Sequence, residues 1–154
     1  MLHARASREF SCVSGEPAGW EHFAHEADIG VRGFGPTREA AFEQGAVALM
    51  HAIADPDVVA PRDMVEIACE APDDALLFVD WLNALIFEVA TRGMLFTRFE
   101  ARLDGRRLAG RAGGEPIDPI RHEVAIEAKG ATYTDLKVGP CPEGGWLAQC
   151  VVDV

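Results

Sequence analysis

Two periodicities divide the chain from residue 28 onward. Ile29 and Val31 point to one side of an extended segment and Arg32 and Phe34 to the other, so Ile29 to Phe34 reads as a strand. Gly35-Pro36-Thr37 interrupts it, and Thr37 suits a helix N-cap. Phe42, Ala46, Leu49, Met50 and Ile53 then recur at spacings of three and four, one face of a helix. Asp55-Pro56 stops that helix, because proline disfavours helical geometry in the residue before it. From Met64 to Glu70 polar and apolar positions alternate, which predicts a strand with one wet face. Pro72-Asp73-Asp74 opens a second helix: proline suits the first turn and carboxylates complement the positive end of the dipole. Its body, ALLFVDWLNALIFEVA, carries the stripe Phe78, Leu82, Leu85 and Val89, widened by Trp81 and Ile86. So broad an apolar surface predicts a largely buried helix, with Gly93 as its C-cap.

The remainder reads as strands. Leu95, Thr97, Phe99, Ala101 and Leu103 share one face, Asp104-Gly105 is a tight hairpin turn, and Leu108 begins the return. Gly110 to Pro116 reads as a glycine-rich turn region. Val124, Ile126 and Ala128 alternate with Ala125, Glu127 and Lys129, which predicts a further strand. Prolines and glycines break up Asp135 to Gly145, and WLAQCVVDV forms a last strand. The order β-α-β-α followed by about four strands predicts an α+β fold, two helices packed on antiparallel strands. Two strand–helix–strand passages, 28–70 and 72–103 with its neighbours, raise an internal β-α-β duplication. Residues 1–19 are polar and read as a loose extension, leaving a single domain over 20–154.

Composition narrows the function. At 154 residues the chain has the length of one domain and buries roughly 70% of its unfolded surface. Fourteen Lys+Arg against 25 Asp+Glu give a net charge of −11. Such a balance works against holding RNA directly, since that binding runs on cations neutralising phosphates. It suits binding a cation or docking on a basic protein, and equally suits plain solubility. No apolar run reaches the roughly 18 residues of a membrane span, and residues 1–19 lack the apolar core of a signal peptide. Cys12, Cys69, Cys141 and Cys150 form no C-x-x-C pair and are too sparse for a disulfide framework, so a reducing cytoplasm is the expected setting.

The standard phosphate-binding and nucleophile motifs are missing from the sequence, and serine occurs only at Ser7, Ser11 and Ser14. Several polar features remain. His25, Glu26 and Asp28 precede the first strand, either as a loop histidine with solvated acids or with Asp28 as a metal ligand or docking carboxylate. Glu127 and Lys129 lie two apart on one strand face, a surface ion pair or a working cation. Asp153 interrupts an apolar strand beside Val154, whose α-carboxylate would add a second anion; this is a frayed end or a site for a hard cation. Asp80 and Asn83, three apart on one helix face, read as hydrogen-bonding devices rather than catalysts.

Four segments, taken in order, resemble the archease family. They are HFAHEADIGVRGFGPTREAAFEQGAVAL with its H-x-A-D-I element, LLFVDWLNALIFE, IDPIRHEVAIEAKGATYTDLKV, and WLAQCVVDV ending in its aspartate. The resemblance spans Trp20 to Val154. It implies a small cytoplasmic protein cofactor, not itself an enzyme, that promotes guanylylation and repeated turnover of an RNA-splicing (tRNA) ligase. It implies metal-binding aspartates at Asp28 and Asp153, with Val154 beside them, and a functional lysine at Lys129; His25 and Arg121-His122 match motif positions. The oxygen donors favour a divalent cation of the Ca²⁺ or Mg²⁺ kind over Zn²⁺. This chain departs from the family in having Thr134 where a histidine often stands, and Gly130 in place of alanine. Two other readings are a metal-dependent hydrolase or nucleotide-handling enzyme acting through Asp28, Asp153 and Lys129, and a chaperone-like adaptor.

Overall fold

The computed structural model describes residues 18–154; the expected loose extension lies, up to residue 17, outside the described residues. Strand β1 (Gly19–His25) and strand β2 (Asp28–Gly35) form an antiparallel hairpin. Helix α1 (Arg38–Ile53) follows, then β3 (Asp63–Glu70), helix α2 (Asp74–Arg92), β4 (Met94–Asp104) and β5 (Arg107–Pro116). Short strands β6 (Gly130–Ala131) and β7 (Lys137–Pro140) precede β8 (Trp146–Asp153). The strands make two antiparallel sheets. In one, the order is β1-β2-β8-β6, with β7 also paired to β8; the other is β3-β5-β4.

The helices begin and end where the side chains dictate. Thr37 caps α1 by accepting the Ala40 N–H at 3.0 Å, and Asp73 caps α2 by accepting that of Leu76 at 2.8 Å. Gly93 closes α2 in the left-handed conformation, its N–H returning to the Val89 carbonyl. Both helices touch strands of both sheets, so they form a middle layer. That placement explains why α1 is buried well beyond its predicted stripe, with Ala41, Gly45, Ala48 and Ala52 also out of solvent. Small residues let α1 approach its neighbours on every side: a Cβ at Gly33 of β2 would collide with the backbone of Ala41 and Gly45. Trp81 stands at the centre, fully buried, its indole N–H donating to the Phe42 carbonyl at 3.0 Å.

Four local expectations are corrected. The first strand expected was Ile29 to Phe34, but an earlier one, β1, forms over Gly19–His25, taking in His25, one of whose readings was a loop histidine. The glycine-rich stretch 110–116 is not a turn but continues β5, because its glycines make room: a Cβ at Gly110 would stand 2.5 Å from the Trp81 ring. Val124 to Lys129 is not a strand; it crosses the ends of both helices irregularly, held by the Ala125 N–H to the Ile53 carbonyl at 2.7 Å. The broken stretch after Asp135 contains β7. The two passages suspected of duplication build unlike units, since β2 and β3, which flank α1, lie in different sheets, whereas β3 and β4, which flank α2, share one. Cys69 and Cys150 are free, but Cys141 is disulfide-bonded, a departure from the reduced set expected. No helix among the described residues is long and apolar enough to cross a membrane.

Candidate functional site

The site is built at one end of the larger sheet. The β1–β2 hairpin turns through Glu26 and Ala27, with Glu26 in the left-handed region at φ 53°, and sets His25 opposite Asp28. Strand β2 then runs against β8, the last registered pair being Ile29 with Val152. One position further, Asp28 faces Asp153 across the strands. Directly opposed residues of an antiparallel pair project from the same face. His25, Asp28 and Asp153 therefore form a row on the face that does not carry the apolar Ile29, Val31 and Val152. A hydrogen bond ties this end together: the Val154 N–H donates to Asp28 Oδ1 at 3.3 Å.

Lys129 enters from the other side of β8. Its N–H donates to the Asp153 carbonyl at 2.8 Å, and β6 continues with Gly130 opposite Asp153 and Ala131 opposite Val152. Alternation along this segment directs Lys129 with Ala131, toward the helix layer. Its side chain is exposed, and the backbone bond to Asp153 is what ties it to the sheet end. Glu127 and Lys129 make no ion pair, so the surface pair weighed from the sequence does not form. Neither Asp28 nor Asp153 forms an ion pair with a described residue.

The donor set suits a hard cation in chemistry, being carboxylate oxygen. One further polar atom lies beside it: Nδ1 of His25 is buried with no hydrogen-bond partner among the described residues, an arrangement that calls for a water, ion or partner. In number the set is incomplete, since no three His, Cys, Asp or Glu residues group to hold a metal among the described residues.

His122 belongs elsewhere. It is 2% exposed, and the Asp118 N–H donates to its Nδ1 at 2.8 Å. That fixes the proton on Nε2, which donates to Glu115 Oε2 at 3.1 Å. Glu115, 1% exposed, also accepts from the Ala60 N–H at 2.7 Å and from Arg121 at 2.7 Å. The Ala60 N–H foremost, then Arg121 and His122, hold its carboxyl down at about 2 against the effect of burial. His122 is thus a holder of the irregular 117–129 segment. The sequence reading missed Glu115 altogether; its one signal is a single acid inside an otherwise small, uncharged stretch, AGGEP. A second row on the outer face was missed too: Arg32 donates to Glu21 at 3.0 Å and to Gln149 at 2.9 Å.

Two sheets with a helical middle layer, and a carboxylate pair where two strand ends meet, define a small α+β domain. The chain belongs to the archease family: the family model described as "Archease protein family (MTH1598/TM1083)" matches residues 20–154. Protein archease of Pyrococcus abyssi is 37% identical over 139 residues, covering 88% of this chain and 98% of that protein. That of Thermococcus gammatolerans is 39% identical over 139 residues, with 88% and 98% covered. The solution structure of Methanobacterium thermoautotrophicum protein 1598 superposes with a TM-score of 0.78 at 28% identity, over 88% of this chain and 99% of that one. A crystal structure from Thermotoga maritima, described as an archease and possible chaperone, shares the fold with a TM-score of 0.58 at 20% identity, over 86% and 94%.

Proposed function

We propose that this protein is an accessory factor that activates an RNA-splicing ligase by promoting its guanylylation and repeated turnover, working through the sheet end that carries Asp28 and Asp153, with Lys129 bonded beside them through its backbone N–H. The observation that carries the reading is the Val154–Asp28 hydrogen bond, which ties the end of β8 to β2 beside two carboxylates that have no ion-pair partner among the described residues. Membership of the archease family supports it. Asp28 and Asp153, with Val154 beside them, would hold a divalent cation of the Ca²⁺ or Mg²⁺ kind. Such an ion would neutralise the pair and offer positive charge to phosphate oxygens. The chain's own residues supply the rest. The Val154 N–H orients Asp28, and Lys129 is a mobile point charge suited to a phosphate or acidic group on the ligase. His25, at the hairpin end of the same row, has a ring nitrogen without a hydrogen-bond partner among the described residues.

The test is ligase, GTP and RNA with and without this protein, scored as guanylylated ligase and as turnovers per ligase. Wild type should raise both. Lys129→Ala should melt within a few degrees of wild type, since an exposed unpaired lysine contributes only tenths of a kcal/mol, yet lose most of the stimulation. Lys129→Arg should restore part of it. Full stimulation by a folded Lys129→Ala protein returns Lys129 to the solvated surface. Turnover of a nucleotide or phosphoester without the ligase would favour the enzyme reading instead.

A further inference from the structure

The family segment LLFVDWLNALIFE places a carboxamide, Asn83, on a helix that is otherwise apolar toward the core, and nothing in the carboxylate site uses it directly. Its partners are on β6. The Ala131 N–H donates to Asn83 Oδ1 at 2.8 Å, and Asn83 Nδ2 donates to the Ala131 carbonyl at 3.4 Å. A carboxamide carries the same donor and acceptor as a peptide group. Asn83 therefore occupies the place on the outer edge of β6 that a neighbouring strand would take, and satisfies both backbone groups of Ala131 there.

This matters because β6 has little else. It is two residues long and pairs only with Asp153 and Val152 of β8. An isolated pairing of that length does not hold itself in register. The Lys129 N–H, bonded to Asp153, and the Thr132 N–H, bonded to the Val151 carbonyl at 2.9 Å, flank the same two residues. If β6 slides or lifts, Lys129 moves relative to Asp153. Gly130 is not what fixes the approach, because a Cβ there would stand 3.6 Å from Asn83 Oδ1, an ordinary contact.

We propose that Asn83 is a positioning residue: by clamping Ala131 to α2 it sets where Lys129 stands against the Asp28–Asp153 pair. This rests on the reading that Lys129 acts in ligase stimulation. Two readouts separate the two. Amide hydrogen exchange on the protein alone reports the clamp. In Asn83→Ala, the Lys129 and Ala131 amides should exchange at least about tenfold faster, while Val31 and Cys150 in the paired strands β2 and β8 keep their protection. Ligase stimulation reports the consequence. Its maximum should fall toward that of Lys129→Ala, while the protein concentration giving half-maximal stimulation stays within about twofold. Asn83→Ala in the Lys129→Ala background should then add nothing further. Gly130→Ala should match wild type in both readouts. Unchanged exchange at Lys129 and Ala131 overturns the clamp, whatever the activity. Faster exchange with full stimulation overturns the positioning role, and full stimulation by Lys129→Ala overturns the reading beneath it.

Discussion

Glu115 and Glu43 are both drawn out of water, yet folding moves their proton affinities in opposite directions. Glu115 drops from an ordinary 4.5 to about 2, chiefly through the Ala60 N–H and then through Arg121 and His122. A carboxyl with a depressed folded value contributes stability that is complete above about 4.5 and is lost as the pH falls toward 2. Glu43, which accepts the Ala101 N–H at 2.9 Å, is raised by burial first, that bond opposing and the charges of Glu100 and Glu39 adding to the rise. Its contribution is complete below the ordinary value and declines as pH rises through the raised one. Urea titrations of Glu115→Gln across pH 2 to 7 should therefore show the variant far weaker than wild type at neutral pH, with the two curves converging at the acid end. Curves that stay parallel throughout would mean the charge of Glu115 is not what the network uses. Cys150, fully buried, has its thiol pushed up to about 12 by burial. It should resist maleimide in the native protein and react only after unfolding, as peptide mass spectrometry would show.

At the scale of elements, the helix layer sets the tolerance to change. Trp81→Phe keeps most of the buried ring but removes the indole N–H that donates to the Phe42 carbonyl, which costs about 0.5–1.5 kcal/mol. Gly33→Ala forces a Cβ into the backbone of α1 and should cost about 3 kcal/mol or more, since neither strand nor helix can retreat without opening the core. Thermal melts of the two variants rank these effects, and a Gly33→Ala protein as stable as wild type would contradict the close β2–α1 approach. The same layer explains what was legible from sequence. Caps, stops and the stripe of α2 are local events, written in Thr37, Pro56, Asp73 and Gly93, and both helices were found with their ends nearly right. Strand β1 was missed because its apolar residues are few and its two histidines and Glu21 resemble a loop; only pairing with β2 makes it a strand. Gly110 misled because its reason is Trp81, a residue distant in sequence. Val124 to Lys129 alternates like a strand but finds no neighbour to pair with. The site was legible in part. Asp28 and Asp153 were singled out as unexpected carboxylates, and the register sets them face to face; Asn83 read as a hydrogen-bonding device, which it is, though its partner Ala131 is distant in sequence, and nothing in the local pattern of Glu115 announces the groups it holds.

The molecule as a whole carries a net charge of −11, and electrostatics of that sign dictate how it meets other macromolecules. A gel shift with single-stranded or transfer RNA at physiological salt should show no binding below about micromolar concentration, for want of the cation stripe such binding needs. Tight, steeply salt-dependent binding would give the protein a direct hold on RNA. A second molecular consequence follows from the place of β8 between β2 and the short strands β6 and β7. Ile29 pairs with Val152, so the larger sheet stays open until residues near the end of the chain find those near its start. Closing so long a loop is entropically costly and comes before the contacts that offset it. The helices and the β4–β5 hairpin are local, and the β3-β5-β4 sheet lies wholly within residues 63–116, so these should form first and insertion of β8 should be the slow step. On this view a core truncation in β8, such as Val152→Ala, accelerates unfolding and hardly alters the folding rate, while the same truncation in α2 slows folding. The charged sheet end, assembled by the last strand to arrive, would then be among the last features of the domain to exist.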